Sequence, residues 1–172
     1  MYIYFMEQKP VVILGSARKR SDTEKFVASI FGDDEYKLID LLDLKINGYS
    51  YSHEYPSDDQ YHLLVEELLT HQQIIFATPV YWYSMSALMK TFFDRFSDLM
   101  TYKKVTGRKL KGKSTALIAV GAEERLAEGF EIPFSLTSSY FDMEFLGSIY
   151  HSVGRSDYNQ SSVTQFRTKL GI

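Results

Sequence analysis

Three short stretches of this chain are apolar from end to end: residues 11–14 (VVIL), 74–77 (IIFA) and 116–120 (ALIAV). A strand with one face in water alternates polar and apolar residues. A run with no alternation predicts a parallel strand covered on both faces. Between these runs the apolar residues change to helical spacing. Phe26, Val27 and Ile30 follow the first run, with Ser21 and Glu24 placed as a capping box. Residues 36–41 read as a second strand and residues 145–150 as a fifth. Tyr61, Leu64, Val65 and Leu68 form a helical stripe opened by a second capping box, Ser57 with Gln60. Leu88, Met89, Phe92, Phe93, Phe96 and Leu99 trace one further helix, with Lys90 and Asp94 paired on its outer face. Helices are also predicted over 133–141 and 156–170, and residues 103–113 read as a basic connector. Five strands, each followed by a helix, predict an α/β fold with an open parallel sheet and helices on both faces. Residues 1–172 read as a single domain, with 1–9 as an N-terminal extension ahead of the first strand.

Composition narrows the function classes. There is no cysteine, so disulfides, thiolate nucleophiles and thiolate metal sites are excluded. That absence fits an intracellular, cytoplasmic protein. A net charge of -3 gives no general attraction to nucleic acid or to an anionic membrane. No apolar run approaches the ~20 residues that span a bilayer, and Met1 to Met6 lacks the basic start of a signal peptide.

Ligands of open α/β sheets bind beyond the carboxyl ends of the strands. The first such loop leaves its strand through Gly15, offers hydroxyls at Ser16, Ser21 and Thr23 and a guanidinium at Arg18, and runs into a helix N-terminus. Hydroxyls, backbone N–H groups and the positive end of a helix make an anion site, most naturally for phosphate. A capped turn carrying a solvated basic cluster is the alternative. In the phosphate reading, Arg18, Lys19 and Arg20 must outweigh Asp22 and Glu24. The loop after the third strand, Thr78-Pro79-Val80-Tyr81-Trp82-Tyr83-Ser84-Met85-Ser86, carries three consecutive aromatics. A planar conjugated ring lying along it would use their faces; a hydrophobic plug or a contact between subunits is the alternative.

The stretch from Thr78 to Arg95 resembles the flavin loop and following helix of the NAD(P)H-dependent FMN reductases. Gly15-Ser16-Ala17-Arg18 with Ser21 and Thr23 resembles that family's phosphate loop, and Lys111-Gly112-Lys113 and Val120-Gly121-Ala122 are similar in order and spacing. The resemblance implies a flavodoxin-like three-layer sandwich with a five-stranded parallel sheet in the order 2-1-3-4-5. It implies FMN as cofactor and NADPH or NADH as reductant, with a quinone, flavin, azo or nitro compound as acceptor. Ser16, Arg18, Ser21 and Thr23 would hold the phosphate. Pro79, Val80, Tyr81, Trp82, Tyr83, Ser84 and Met85 would follow the ring edge, and Gly121 and Ala122 would border it. The flavin would carry the chemistry with no catalytic side chain, and many such proteins are homodimers. Tyr83 and Ser86 depart from the Gly and Pro of many members, so Tyr83 would narrow the nicotinamide site or cover the ring. Ala122 stands where a second Gly is frequent.

Other classes fit less well. A response-regulator receiver needs an acidic pair after the first strand, where Gly15-Ser16 stands. A flavodoxin-type electron carrier is usually more acidic, and a non-enzymatic FMN sensor is the third possibility. His53, His62, His71 and His151 show no metal spacing, and His62 and His71 read as surface residues. The cations between Lys103 and Lys113 read as a solvated face or as a contact for the NADPH 2′-phosphate. Tyr49, Tyr51 and Tyr55 read as packing or exposed residues, or as a cap over a partner's flavin.

Overall fold

The computed structural model describes residues 9–172, so most of the expected N-terminal extension lies outside the described residues. The apolar runs form β1 (Val11–Leu14), the core of β3 (Gln73–Tyr81) and the core of β5 (Ser114–Gly121). β2 (Lys37–Asp40) and β6 (Glu144–Ser152) complete a parallel sheet in the order β2-β1-β3-β5-β6. This is the 2-1-3-4-5 winding. A sixth strand, β4 (Ser84–Met85), folds back antiparallel onto the end of β3.

Side chains alternate across each strand and so feed two cores. Val12 and Leu14 face Phe26, Val27 and Ile30 of α1 (Asp22–Ile30) and Val163 and Phe166 of α7 (Gln160–Leu170). Val11 and Ile13 face the opposite layer: α2 (Tyr61–Thr70), α3 (Ala87–Asp94), α4 (Phe96–Met100) and α6 (Ile132–Tyr140). Seven phenylalanines and Tyr61 are buried on that side of the sheet. Phe76 meets Phe93 with ring centroids 4.9 Å apart, and Phe93 meets Phe134 at 5.0 Å. Deleting one such buried ring typically costs ~3–5 kcal/mol.

Four local expectations are revised. β3 continues through Thr78 and Pro79, because β1 ends opposite Ala77 and leaves β3 a neighbour on one side only. The Ser57/Gln60 capping box does not form: the Asp59 carboxylate accepts from Tyr61 N at 3.1 Å, and Gln60 Oε1 is taken by Lys45 N at 2.8 Å. The helix expected across Leu88 to Leu99 is divided at Arg95, whose side chain is fully buried. The basic connector holds a short helix, α5 (Lys104–Gly107), and a 3-10 turn over Arg108–Leu110.

Candidate functional site

The carboxyl ends of β1, β3 and β5 meet at a cleft of about 320 Å³. Its walls bring together Ser16, Arg18, Ser21, Thr23, Pro79, Val80, Tyr81, Gly121 and Ala122, nine of the residues singled out in the sequence. Asp22 and Val120, named beside these in the sequence, also line it, and Val153 lines it without having been singled out. Val153 arrives from beyond the end of β6, where its N–H donates to Gly121 O at 2.9 Å, a position no local motif announces.

The first loop is fixed by close packing. A Cβ on Gly15 would lie 2.9 Å from Met89 Cβ, so only glycine lets the loop rest on α3. Ser21 caps α1 by accepting from Glu24 N at 3.2 Å, which leaves its own O–H free to donate. The Glu24 carboxylate turns back to accept from Arg20 N at 2.6 Å. Lys19 pairs instead with Asp40, at the end of β2, and with Asp43 just beyond it, which raise its pKa. Arg18 Nη2 rests 2.9 Å from Asp22 Oδ2, and a hydrogen bond from Lys25, with Arg18 beside it, holds that carboxyl below its usual range. An exposed pair of this kind is worth ~0–1 kcal/mol. A phosphate can therefore compete for Arg18 through stronger charge-assisted bonds.

Ser86 ties the second loop to the first. Its Oγ accepts from Met89 N at 3.1 Å as the cap of α3 and donates to Gly15 O. Its N–H donates to Thr78 Oγ1 at 3.1 Å. The sequence signal was present, a serine directly ahead of an apolar helical stripe. Between β3 and β4, Trp82 and Tyr83 form a two-residue turn with φ of 48° and 62°. Two successive left-handed residues are the pattern of a type I′ hairpin. Bulky side chains there are strained by ~1–2 kcal/mol each. Both rings stand out from the surface, Trp82 at 93% exposure and Tyr83 at 64%.

Trp82 and Tyr83 line a second hollow of about 170 Å³ that shares Val80 and Ala122 with the cleft and is closed by Glu123, Arg125, Leu126 and Tyr150. Tyr150 donates to Glu123 O at 2.7 Å; burial and the Glu123 charge raise its pKa. Gly121 is required at the junction, since a Cβ would lie 2.9 Å from Tyr150 Oη and 3.0 Å from Val80 Cβ. Ser84 and Met85 line neither space: Ser84 pairs with Tyr81, and Met85 is buried in the core.

Other candidates are placed elsewhere. Lys113 is buried, with its amine on the carbonyls of Leu69 and His71, at the amino end of β5 and far from the cleft. His71 is buried rather than on the surface, its ring on Lys9 O and the Glu67 carboxylate. Tyr55 lies flat against Arg95, with Cζ 3.5 Å from the ring centroid, and its hydroxyl donates to Asp98 at 2.9 Å. Arg95 pairs with Asp59 at 2.8 Å and Asp98 at 2.7 Å and donates to Asn47 O. Burial pushes the Asp59 carboxyl up, but Arg95 and the N–H donors of Asn47 and Tyr61 outweigh it and hold the pKa at about 2. Among the described residues no helix is long and apolar enough to cross a membrane.

Residues 9–153 match the model of the NADPH-dependent FMN reductase family. The chain is 31% identical over 98 residues to YwqN of Bacillus subtilis, named as an NAD(P)H-dependent FMN-containing oxidoreductase; the match covers 55% of this chain and 54% of YwqN. It is 37% identical over 93 residues to the NAD(P)H oxidoreductase YrkL of Bacillus subtilis, covering 46% of this chain and 52% of YrkL. The matched stretch thus spans about half the length of each relative. The fold is similar to that of the Trp repressor binding protein of Bacillus subtilis, with a TM-score of 0.73 and 22% identity over 94% of this chain and 97% of that one. It is similar as well to general stress protein 14 of Treponema denticola, solved in complex with FMN, with a TM-score of 0.64 and 19% identity over 95% and 96% of the two chains.

Proposed function

Because the chain belongs to the NADPH-dependent FMN reductase family, we propose that it is an oxidoreductase that binds FMN in the cleft and uses it to reduce a small acceptor with NAD(P)H. The observation that carries the reading is the meeting of two chemistries at one sheet edge. Ser16, Ser21, Thr23 and Arg18 surround the N-terminus of α1, a donor set suited to a phosphate. A wall of Pro79, Val80 and Tyr81 leads from there to the hollow beside Trp82 and Tyr83. The crowding at Gly121, where a methyl group has no room, suits a backbone that must lie close to a flat ligand.

When bound, FMN supplies the hydride and electron transfer between NAD(P)H and the acceptor. The protein supplies position. Ser21 and Thr23 would donate hydrogen bonds to the phosphate, Arg18 would exchange its exposed pairing with Asp22 for the phosphate, and the main chain from Pro79 to Tyr83 would hold the ring edge. Val80 and Val153 exclude water from the cleft. Trp82 and Tyr83 flank the side from which a planar reductant or acceptor approaches. The acceptor is a quinone, flavin, azo or nitro compound rather than a nucleic acid, and the working form is a cytoplasmic homodimer. Titration of apoprotein with FMN, followed by anaerobic mixing with NADPH and with NADH, tests the proposal. Bleaching of flavin absorbance within seconds is expected; no FMN binding at micromolar concentration overturns it, and binding without bleaching indicates an electron carrier.

A further inference from the structure

Among the described residues nothing covers an apolar stripe on α6. Ile132, Leu136 and Tyr140 recur every fourth residue on its outer side and are 54%, 65% and 63% exposed, while Phe134 and Ser138 anchor the opposite side in the core. The helix sequence, IPFSLTSSY, contains no charged residue. A monomer rarely leaves a continuous stripe of large apolar side chains in water.

The ends of the stripe differ in charge. Ahead of Ile132 stand Glu128 and Glu131. Beside Tyr140, Lys104 and Arg108 line a cavity of about 450 Å³ floored by Met100 and Phe141. Among the described residues Glu128, Lys104 and Arg108 make no ion pair with one another or with other side chains. The apolar surface also continues past the acidic end: Leu126 and Ala127 line both the groove beside Ile132 and the hollow beside Trp82.

The geometry points to α6 as the face on which a second copy of this chain packs, the two helices antiparallel across a two-fold axis near Leu136. This rests on the reading of the protein as a homodimer and names the surface. A two-fold axis there sets Ile132 against the partner's Tyr140 and each acidic end against the partner's Lys104 and Arg108. Every apolar contact and every ion pair is then made twice, as a self-complementary interface requires. A charge-free helix lets two identical faces meet without like-charge repulsion. A parallel pairing would instead set acid against acid and base against base. The stripe alone is smaller than the ~800 Å² per partner of a stable interface, so contact must extend over Leu126 toward the hollow. The partner's basic end is thereby brought to the rim of the flavin site.

Sedimentation equilibrium of the FMN-loaded protein tests this with residues outside the cofactor cleft. Wild type is expected at twice the 19.9 kDa chain mass. Leu136→Glu should raise the dimer dissociation constant roughly 100-fold, the loss typical of a central interface residue. Lys104→Glu with Arg108→Glu should weaken the dimer, and adding Glu128→Lys to that pair should restore it with the charges exchanged. These side chains are exposed, so far-ultraviolet circular dichroism should stay at the wild-type value. A monomeric wild type overturns the dimer reading itself. A dimer undisturbed by Leu136→Glu overturns only the α6 face, and failure of the charge exchange to restore association overturns the antiparallel arrangement.

Discussion

Arg95→Met tests whether the buried charge cluster holds the α2–α3 layer together. The substitution keeps much of the apolar stem and removes the guanidinium from between Asp59 and Asp98, which are almost completely buried. Lowering the Asp59 carboxyl from 3.8 to about 2 amounts to about 2 kcal/mol in favour of the charged form. The Arg95 share exceeds this net value, because it also offsets the burial that acts in the opposite direction. Asp98 loses its Arg95 partner but keeps the Tyr55 hydroxyl and the His53 ring, so the expected loss at pH 7 is about 3 kcal/mol, at the lower end of the ~3–5 kcal/mol for breaking a buried pair. The two substitution partners also differ in pH dependence. In wild type, the Asp59 contribution is complete above 3.8 and is lost as pH falls toward 2. In the variant, Asp59 keeps its burial without the guanidinium that holds its carboxyl down, so its pKa rises and the loss is smaller at pH 5 than at pH 7. Urea unfolding followed by far-ultraviolet circular dichroism measures both; fluorescence is a poor probe because the sole tryptophan, Trp82, is 93% exposed. A loss below about 1 kcal/mol at pH 7, or an equal loss at pH 5, refutes the reasoning. FMN affinity should be unchanged, since Arg95 does not line the cleft.

Arg18→Ala should weaken FMN much more than riboflavin if, as proposed, the side chain addresses the phosphate alone; equal losses in titrations of the two ligands would remove that role. Tyr83→Gly should leave the unfolding free energy within about 1 kcal/mol of wild type or raise it, since relief of the left-handed backbone opposes the added chain entropy. A loss above about 2 kcal/mol in thermal unfolding would mean that ring packing, not backbone preference, governs the turn.

The parts of this fold that were legible are those where local pattern and burial agree. Residues 11–14, 74–77 and 116–120 could only be covered strands, and Ser21 with Glu24 could only gain by starting a helix. The alternation of these strands with helices implied an open parallel sheet, while the 2-1-3-4-5 order came only from the family resemblance. What escaped depends on partners distant in sequence. Nothing near Arg95 shows that Asp59 will approach it from another element, so a helix that reads as continuous is divided there. Lys113 looked like one more solvated cation until the carbonyls of Leu69 and His71 closed over it. Ser57 gains no capping role, because α2 starts later, with Gln60 at its N-cap position and the Asp59 carboxylate taking the Tyr61 N–H.

The β3–β4 turn escaped for the opposite reason, because the residues argue against it. A type I′ turn favours Asn-Gly, and Trp-Tyr is among the least suitable pairs for two left-handed positions. Sequences usually agree with their folds at every level, and local violations gather at functional sites. Here the strained turn also sets two aromatic rings in water, so the folded chain alone gains little from either choice. Both would become favourable if a flat partner covered the rings, whether the nicotinamide, the acceptor or the second subunit of the proposed function. The three assignments differ in concentration dependence. Quenching of Trp82 fluorescence by dilution-sensitive self-association marks the subunit, and quenching that follows added NAD(P)H or quinone at constant protein concentration marks the ligand. A Trp82 signal that responds to neither would leave the strain without a functional reward and count against a role for this turn in catalysis.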